Sequence, residues 1–599
     1  MLRRYGCAIL ALAAVVWGAG ADAERYVKHV RQLAAPEMKG RGAGSPELER
    51  AAQYLAREFQ AAGLEPLNGK SYLQPFTLST GATLGPRNSL EVRSGQTRQG
   101  LRPAQDFLPF SFSSRSTAAG GVVFAGYGIT APEYKYDDYT HLDVKDKIVL
   151  VLRHEPQEFD DKSVFLGKDF TQHAAFINKA INARNRGAKA MLVVNDRGAH
   201  PTEEDLLVKF GSTKGPEDAG LPVVQVKVDV AEQWFRAAGK SLKDIEAQID
   251  KTLEPRSLAF PDSLQVTVMV DIERKLATVN NVAGWLRGAG DEYIIVGAHY
   301  DHLGLGEQDS LAPSLAGQVH PGADDNASGT AGVLELARLF ASRRSSLQRS
   351  VVFLAFAGEE LGLLGSNHYV NHPLKPLDKA VAMINLDMIG RVRNGKLYVG
   401  GVGTGSNLKP LVEEAAKPFS LQVDYSAGGY DASDHTSFAA KQVPVLFFFS
   451  GLHGDYHKPS DTWEKIDGPG TARVLDLIFD VASRLEGTRE RPAYVRMTEP
   501  KPAAGGSAGG GYGAYFGSIP DFGQVENGVK FADVRDGSPA GKAGLKAGDV
   551  LVEFAGKPIR NLYDFTYALR SHKPGEQVEV KVLRGDQALT VPVMLEQRK

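Results

Sequence analysis

Four apolar runs in this chain each lead to a histidine or a carboxylate. Residues 293–298 lead to His299 and Asp301, 350–357 to Glu359 and Glu360, 381–386 to Asp387, and 443–449 to His457. The runs are rich in β-branched and aromatic residues and read as buried strands. Carboxylates at the ends of such strands are costly to bury unless a cation meets them. Strands that each deliver a His or an acid put those groups along one edge of a sheet, where open α/β sheets bind ligands. A further stretch, 322–329, adds Asp324 and Asp325. Taken alone, Glu359 and Glu360 fit a solvated helix start equally well, because the helix dipole favours acids there. The other strand ends weigh against that reading.

At 599 residues the chain is too long for one core, and about two to four domains are expected. A formal net charge of -2 gives no reason to expect nucleic acid or an anionic membrane as partner. Arg3 and Arg4 precede an apolar stretch at 8–17, and Ala21-Asp22-Ala23 fits a small-x-small cleavage site. The expectation is an exported, periplasmic or extracellular protein that starts at Glu24. The apolar stretch is too short for stable membrane insertion. Cys7 is the only cysteine, so the mature chain would hold no disulfide and offer no thiolate.

Along the chain, Ser45-Pro46-Glu47 is a helix start. Leu48, Ala52, Leu55, Phe59 and Ala62 form an apolar stripe, ended by Gly63; this helix is expected to pack on the sheet. In 116–256, strands are expected at 122–125, 147–152, 190–194 and 221–224, with a helix over 174–186. No cluster of His and acids stands at these strand ends, so no catalysis is expected here. Gly126-Tyr127-Gly128-Ile129, then Arg186-Gly187-Ala188 running into the 190–194 strand, then Leu221-Pro222-Val223-Val224 resemble, in that order, a protease-associated (PA) domain. From about 257 to 485 strands and helices alternate, as in an α/β sheet. The segment 491–513, Gly/Ala/Ser-rich from Thr498, reads as a flexible linker. Beyond it, Val529-Lys530-Phe531-Ala532-Asp533-Val534, Ser538-Pro539-Ala540 and 543–551 closely resemble a PDZ domain, with Tyr515-Phe516-Gly517-Ser518-Ile519 as its carboxylate-binding loop.

Carboxylates and imidazoles without a thiolate suit Zn, Mn or Co. Five candidate ligands exceed the needs of one tetrahedral zinc and suit two ions about 3.5–4 Å apart. Asp301 lies two residues beyond His299, on the same strand face, and can accept the second imidazole N–H.

His299-Tyr300-Asp301, Gly322-Ala323-Asp324-Asp325, Glu359-Glu360, Leu386-Asp387-Met388 and Tyr456-His457-Lys458 together resemble the M28 family of zinc aminopeptidases. The resemblance implies a mixed-sheet α/β/α zinc-exopeptidase domain with a β-rich PA insertion and a C-terminal PDZ domain. Its expected divisions are a signal peptide at 1–23, peptidase at 24–115 and 257–490, PA at 116–256, linker at 491–513 and PDZ at 514–599. By resemblance, His299, Asp325, Glu360, Asp387 and His457 bind two Zn2+, or other divalent ions, with Asp325 as the bridge. Glu359 is then the general base that activates a metal-bridged water, Tyr456 stabilises the oxyanion, and the Asp325–Asn326 peptide bond is cis. Asp324 and Asp434 sit in familiar places without an assigned role. Peptide or protein substrates follow, with hydrolysis of N-terminal residues. The PDZ block either docks a C-terminal peptide by strand addition or serves as an assembly module or lid. A related carboxypeptidase or dipeptidase, a glutaminyl cyclase of the same fold, or a non-catalytic peptide-binding protein are the alternatives.

Overall fold

The computed structural model describes residues 20–496 and 514–597, apart from positions 199, 201, 214, 431, 522–524 and 526. The signal expected over 1–23 therefore lies, up to position 19, outside the described residues. Among the described residues, no helix is long and apolar enough to cross a membrane.

The four apolar runs are the four central strands of a nine-stranded mixed sheet: β1 (Tyr293–His299), β2 (Ser350–Phe356), β3 (Ala380–Leu386) and β4 (Val445–Phe449). They lie in the order β2-β1-β3-β4, all parallel. Every residue of β1, β2 and β3 is buried, as expected where helices cover both faces of a parallel sheet. The helices Ala23–Leu33, Pro46–Ala61, Gly329–Ala341 and Gly468–Gly487 pack on one face. Leu364–Asn371 and His435–Ala439 pack on the other. Pro46–Ala61 starts on the Ser45 cap, whose hydroxyl accepts the Leu48 N–H at 3.1 Å, and its Phe59 meets Phe353 of β2. After β1 the chain crosses to β2 on one side and then to β3 on the other. That reversal opens a crevice at the carboxyl end of β1.

A second nine-stranded sheet is built around the parallel strands Thr117–Phe124, Ile148–Leu152, Ala190–Val194 and Val223–Val226. It also takes Ser89–Ser94, Thr97–Leu101 and Phe107–Pro109 from before 116, and Leu258–Ala259 and Leu264–Met269 from after 256. Counted by its sheet, the insertion is wider at both ends than expected. Ser89–Ser94, Thr97–Leu101 and Leu264–Met269 alternate or expose their side chains and carry no continuous apolar run, so they leave a weak mark in the sequence.

The terminal block folds on Phe516, Phe531, Leu551, Phe554, Phe565 and Val580. It does not hang free of the rest. Arg184 of the second body donates to Asp564 at 2.6 Å, with both side chains almost wholly buried. Asn367 and Tyr430 of the first reach Asp521 and Asp533 at 2.6 and 2.8 Å. Of the expected linker, 497–513 lies outside the described residues. The part before it is held: the Ser406 N–H donates to the Ala493 carbonyl at 2.9 Å and the Val495 N–H to the Thr404 carbonyl at 2.8 Å.

Candidate metal centre

The crevice at the end of β1 gathers the strand-end residues. His299 is the last residue of β1, and Asp387 follows β3 directly. β2 turns away at Gly358, whose φ of 74° lies in the left-handed region that favours glycine, and where a Cβ would crowd the end of the Leu78 side chain at 2.9 Å. That turn presents Glu359 and Glu360 together. Asp325 enters from the irregular turn ahead of helix Gly329–Ala341, and its peptide bond to Asn326 is cis. His457 comes from the loop after β4.

The two carboxylate oxygens of Asp325 face different histidines. Oδ1 lies 3.4 Å from His299 Nε2, and Oδ2 lies 3.2 Å from His457 Nε2. On the first side, His299 Nε2 is 3.5 Å from Asp387 Oδ1 and 3.8 Å from Glu359 Oε2. On the second, His457 Nε2 is 3.2 Å from Glu360 Oε2. His299, Asp325 and Asp387 form one group able to hold an ion, and His302, Asp325 and Glu360 form another. His457 Nε2 is buried between two carboxylates yet makes no hydrogen bond.

Charge makes the same point. Asp301, Asp325 and Asp387 are buried, and Glu359 and Glu360 stand among them. Burial opposes a charged His457, but Asp325 and Glu360 carry its pKa up to about 10. Burial, with the neighbouring carboxylates, holds Glu359 well above the usual range despite His299. Burial also pushes Asp301 up to about 6 and Asp434 up to about 7. The buried cation beneath the site, Arg41, is turned to carbonyls: it donates to Tyr300, Leu33, Pro321 and Gly322 at 2.7–2.9 Å. A nitrogen and oxygen donor set with surplus negative charge, and an imidazole Nε2 without a hydrogen bond, fits divalent cations of the zinc type.

Asp301 departs from its expected place. Its carboxylate is 3.8 Å from His299 Nδ1, too far for a hydrogen bond, and that nitrogen faces the Asp301 carbonyl at 3.3 Å instead. The carboxylate accepts the backbone N–H groups of Glu359 and Glu360 at 3.1 and 3.4 Å. It fixes the turn that carries both glutamates. Tyr456 stacks on the His457 ring at 3.9 Å between centroids. Asp324 accepts the Gly390 N–H at 2.7 Å and faces His453 at 3.2 Å, so it braces the loop after Asp387. Of the phenylalanines on β4, Phe448 lies in the core, whereas Phe447 and Phe449 are half-buried on the opposite face and stack in a row with His435.

Several residues here carry no signal in the sequence. His302 Nδ1 holds Glu360 Oε1 at 2.6 Å. Asp461 accepts the N–H groups of Asp324 and Asp325 at 2.9 and 3.2 Å and pairs with Arg391 at 2.6 Å. The Asp309 carbonyl lies 2.9 Å from His457 Nδ1, which leaves Nε2 toward Asp325 and Glu360. Ser433 donates to Asp387 Oδ2 at 2.7 Å.

Three stretches of the chain match known protein families. Residues 281–482 match Peptidase family M28, 111–234 match the PA domain, and 520–595 match the PDZ domain. Aminopeptidase YwaD of Bacillus subtilis is 27% identical over 405 residues, covering 63% of this chain and 72% of that protein. An aminopeptidase of Pseudomonas aeruginosa is 30% identical over 280 residues, 46% of this chain and 44% of its own length. A probable zinc metalloprotease of Pyrenophora tritici-repentis is 40% identical over 188 residues, 31% of this chain and 39% of that protein. The chain thus spans less than half of the last two. Among solved structures, an aminopeptidase from Aneurinibacillus sp. strain AM-1 aligns with 80% of this chain and 97% of its own, at 24% identity and a TM-score of 0.48.

Proposed function

The chain carries an M28 peptidase domain, a PA domain inserted before it and a PDZ domain at its end, and we propose that it is an exported metal-dependent aminopeptidase. The observation that carries this reading is Asp325, with one carboxylate oxygen toward His299 and the other toward His457. His299, Asp387 and Asp325 would hold one divalent ion; His457, Glu360 and Asp325 would hold a second, zinc being the first candidate for both. Such ions, when bound, supply Lewis acidity and lower the pKa of water at the site.

Glu359 is the residue left to move a proton. It follows the Gly358 turn, its side chain is 12% exposed, and it lies beside His299 Nε2 rather than between the histidines. It takes a proton from the attacking water as the oxygen adds to the peptide carbonyl. It returns that proton to the departing amine as the C–N bond breaks. The Tyr456 hydroxyl donates to the developing oxyanion. A free α-amine is cationic at neutral pH, and a pocket this rich in carboxylates favours it over an acylated N-terminus. The PDZ domain acts on which peptides reach the crevice, by docking an extended C-terminus.

The test is hydrolysis of paired aminoacyl reporters, one with a free and one with an acetylated amine, before and after chelation. Cleavage of the free-amine reporter alone, lost on chelation and restored by zinc, is expected. Equal cleavage of both reporters would rule out aminopeptidase action, and full activity after verified metal removal would rule out the metal.

A further inference from the structure

The PA insertion was expected to have no His and acid cluster at its strand ends, and the structure contains one. Strands Ile148–Leu152 and Ala190–Val194 are parallel and paired Leu152 to Val194, so the chain leaves both at the same level. Two residues beyond each lie His154 and Asp196; four residues further lie Glu158 and His200. His154 Nδ1 is 2.8 and 3.0 Å from the two Asp196 oxygens and 3.5 Å from Glu158 Oε2. His200 Nε2 is 2.7 Å from the same Glu158 oxygen. One ligand atom from each of the four side chains lies within 4.8 Å of all the others.

Two separate His–carboxylate pairs are the simpler explanation, and charge argues against them. Asp196 is 1% exposed and Glu158 9%, and a third acid, Asp250, accepts the N–H of Gln157, the residue before Glu158, at 3.1 Å. Lys179 gives little relief. Its Nζ is turned to the carbonyls of Tyr127, Leu152 and His154 and meets none of the carboxylates. Protonating both histidines would balance the carboxylates, but the two rings sit 4.9 Å apart between centroids, and two imidazolium charges at that range repel. One divalent cation neutralises both carboxylates and leaves both rings neutral.

The surroundings are those of a ligand set. His200 Nδ1 faces Glu203 at 3.0 Å, which fixes the tautomer that frees Nε2 to bind. The His154 ring is stacked flat on Phe170, 8° from parallel. We propose that His154, Glu158, Asp196 and His200 form a divalent-metal site in the PA insertion, separate from the peptidase centre. Two imidazoles and two carboxylates suit Zn2+, Co2+ or Mn2+, and four protein ligands make a closed, structural site. The ion ties the loop after Leu152 to the loop after Val194. The second loop runs on to Lys209 and Gly211, which reach Glu307 and Gln308 at 3.1 and 3.0 Å. Those residues adjoin Asp309, whose carbonyl orients His457. The site therefore secures the contact between the insertion and the rim of the crevice.

The test counts ions. Full-length chain is saturated with zinc, freed of excess by gel filtration and assayed for zinc per chain by elemental analysis. His154→Ala/His200→Ala and Glu158→Gln/Asp196→Asn are treated alike, the second pair preserving shape if the first does not fold. Each folded variant is expected to hold one ion fewer than the parent while still cleaving a small reporter. A zinc content equal to the parent's in the folded Gln/Asn variant overturns the proposal. Because the readout is a difference, it does not depend on how many ions the peptidase centre holds.

Discussion

Arg41→Met removes the strut under the candidate metal centre. The guanidinium is fully buried, and burial lowers its pKa only to about 10, so it stays charged at neutral pH. Tyr300 sits between His299 and Asp301, and Gly322 opens the turn to Asp325, so this one side chain sets the height of two candidate ligand segments. Methionine keeps most of the aliphatic packing and leaves the Tyr300, Leu33 and Pro321 carbonyls without a donor, while Gly322 keeps the Ala327 N–H at 3.1 Å. At about 1–3 kcal/mol for each buried group left unpaired, the sum is about 3–9 kcal/mol. That is an upper bound, because loops relax and water enters, and about 3–5 kcal/mol is the expected loss, as for a broken buried charge contact. For a domain of this size the loss lowers Tm by roughly 4–8 °C. Calorimetry of the zinc-saturated protein measures it, with residual reporter hydrolysis identifying the peptidase transition. Arg41→Lys keeps the charge but not the reach, and should recover only part. A Tm within about 1 °C of the parent, the shift expected from under 1 kcal/mol, would refute the assigned role.

Three further outcomes are expected. In a double-mutant cycle on Arg184 and Asp564, the buried pair that joins the PDZ domain to the insertion, the coupling read from urea midpoints should be about 1–3 kcal/mol; a value near zero would mean that the contact does not hold the PDZ domain in place. A chain ended at about Gly505 should cleave small reporters near the parent rate, because every candidate ligand precedes Pro459, while KM for long peptides rises; loss of reporter cleavage would mean that the PDZ domain helps build the crevice. Asp138 gives the pH dependence: burial raises its folded pKa to about 7 against roughly 3.9 unfolded. The folded state then binds a proton that the unfolded state has released, so this group's contribution makes stability fall as pH rises from about 4 to 7. Asp138→Asn should flatten that slope in urea midpoints measured across the range, and an unchanged slope would contradict the assignment.

The crevice was legible because parallel strands buried on both faces appear as unbroken apolar runs, and each run stops where the backbone reaches the ligand edge. What escaped was set by tertiary register. Arg41 reads as an ordinary surface arginine until Leu33, Tyr300, Pro321 and Gly322 turn their carbonyls toward it. Asp461 and Arg391 meet only because the loops after β3 and β4 cross. Asp301 follows strand alternation from His299, yet the Gly358 turn brings the Glu359 and Glu360 amides closer to its carboxylate than the imidazole is. In the insertion, His154-x3-Glu158 and Asp196-x3-His200 are two short signals 42 residues apart. Nothing links them until Leu152 is paired with Val194.

The proposed reaction rests on a division of labour between adjacent glutamates: Glu359 moves a proton and Glu360 holds an ion. Measuring zinc per chain and reporter kcat for Glu359→Gln and Glu360→Gln side by side tests it most directly. Glu359→Gln should keep the parent's zinc and lower kcat by about 10²–10⁴, the usual worth of a general base. Glu360→Gln should lose zinc, with activity partly restored at high zinc concentration. If Glu359→Gln retained the parent kcat, or if both variants lost zinc to the same extent, the assignment of base and ligand would be wrong.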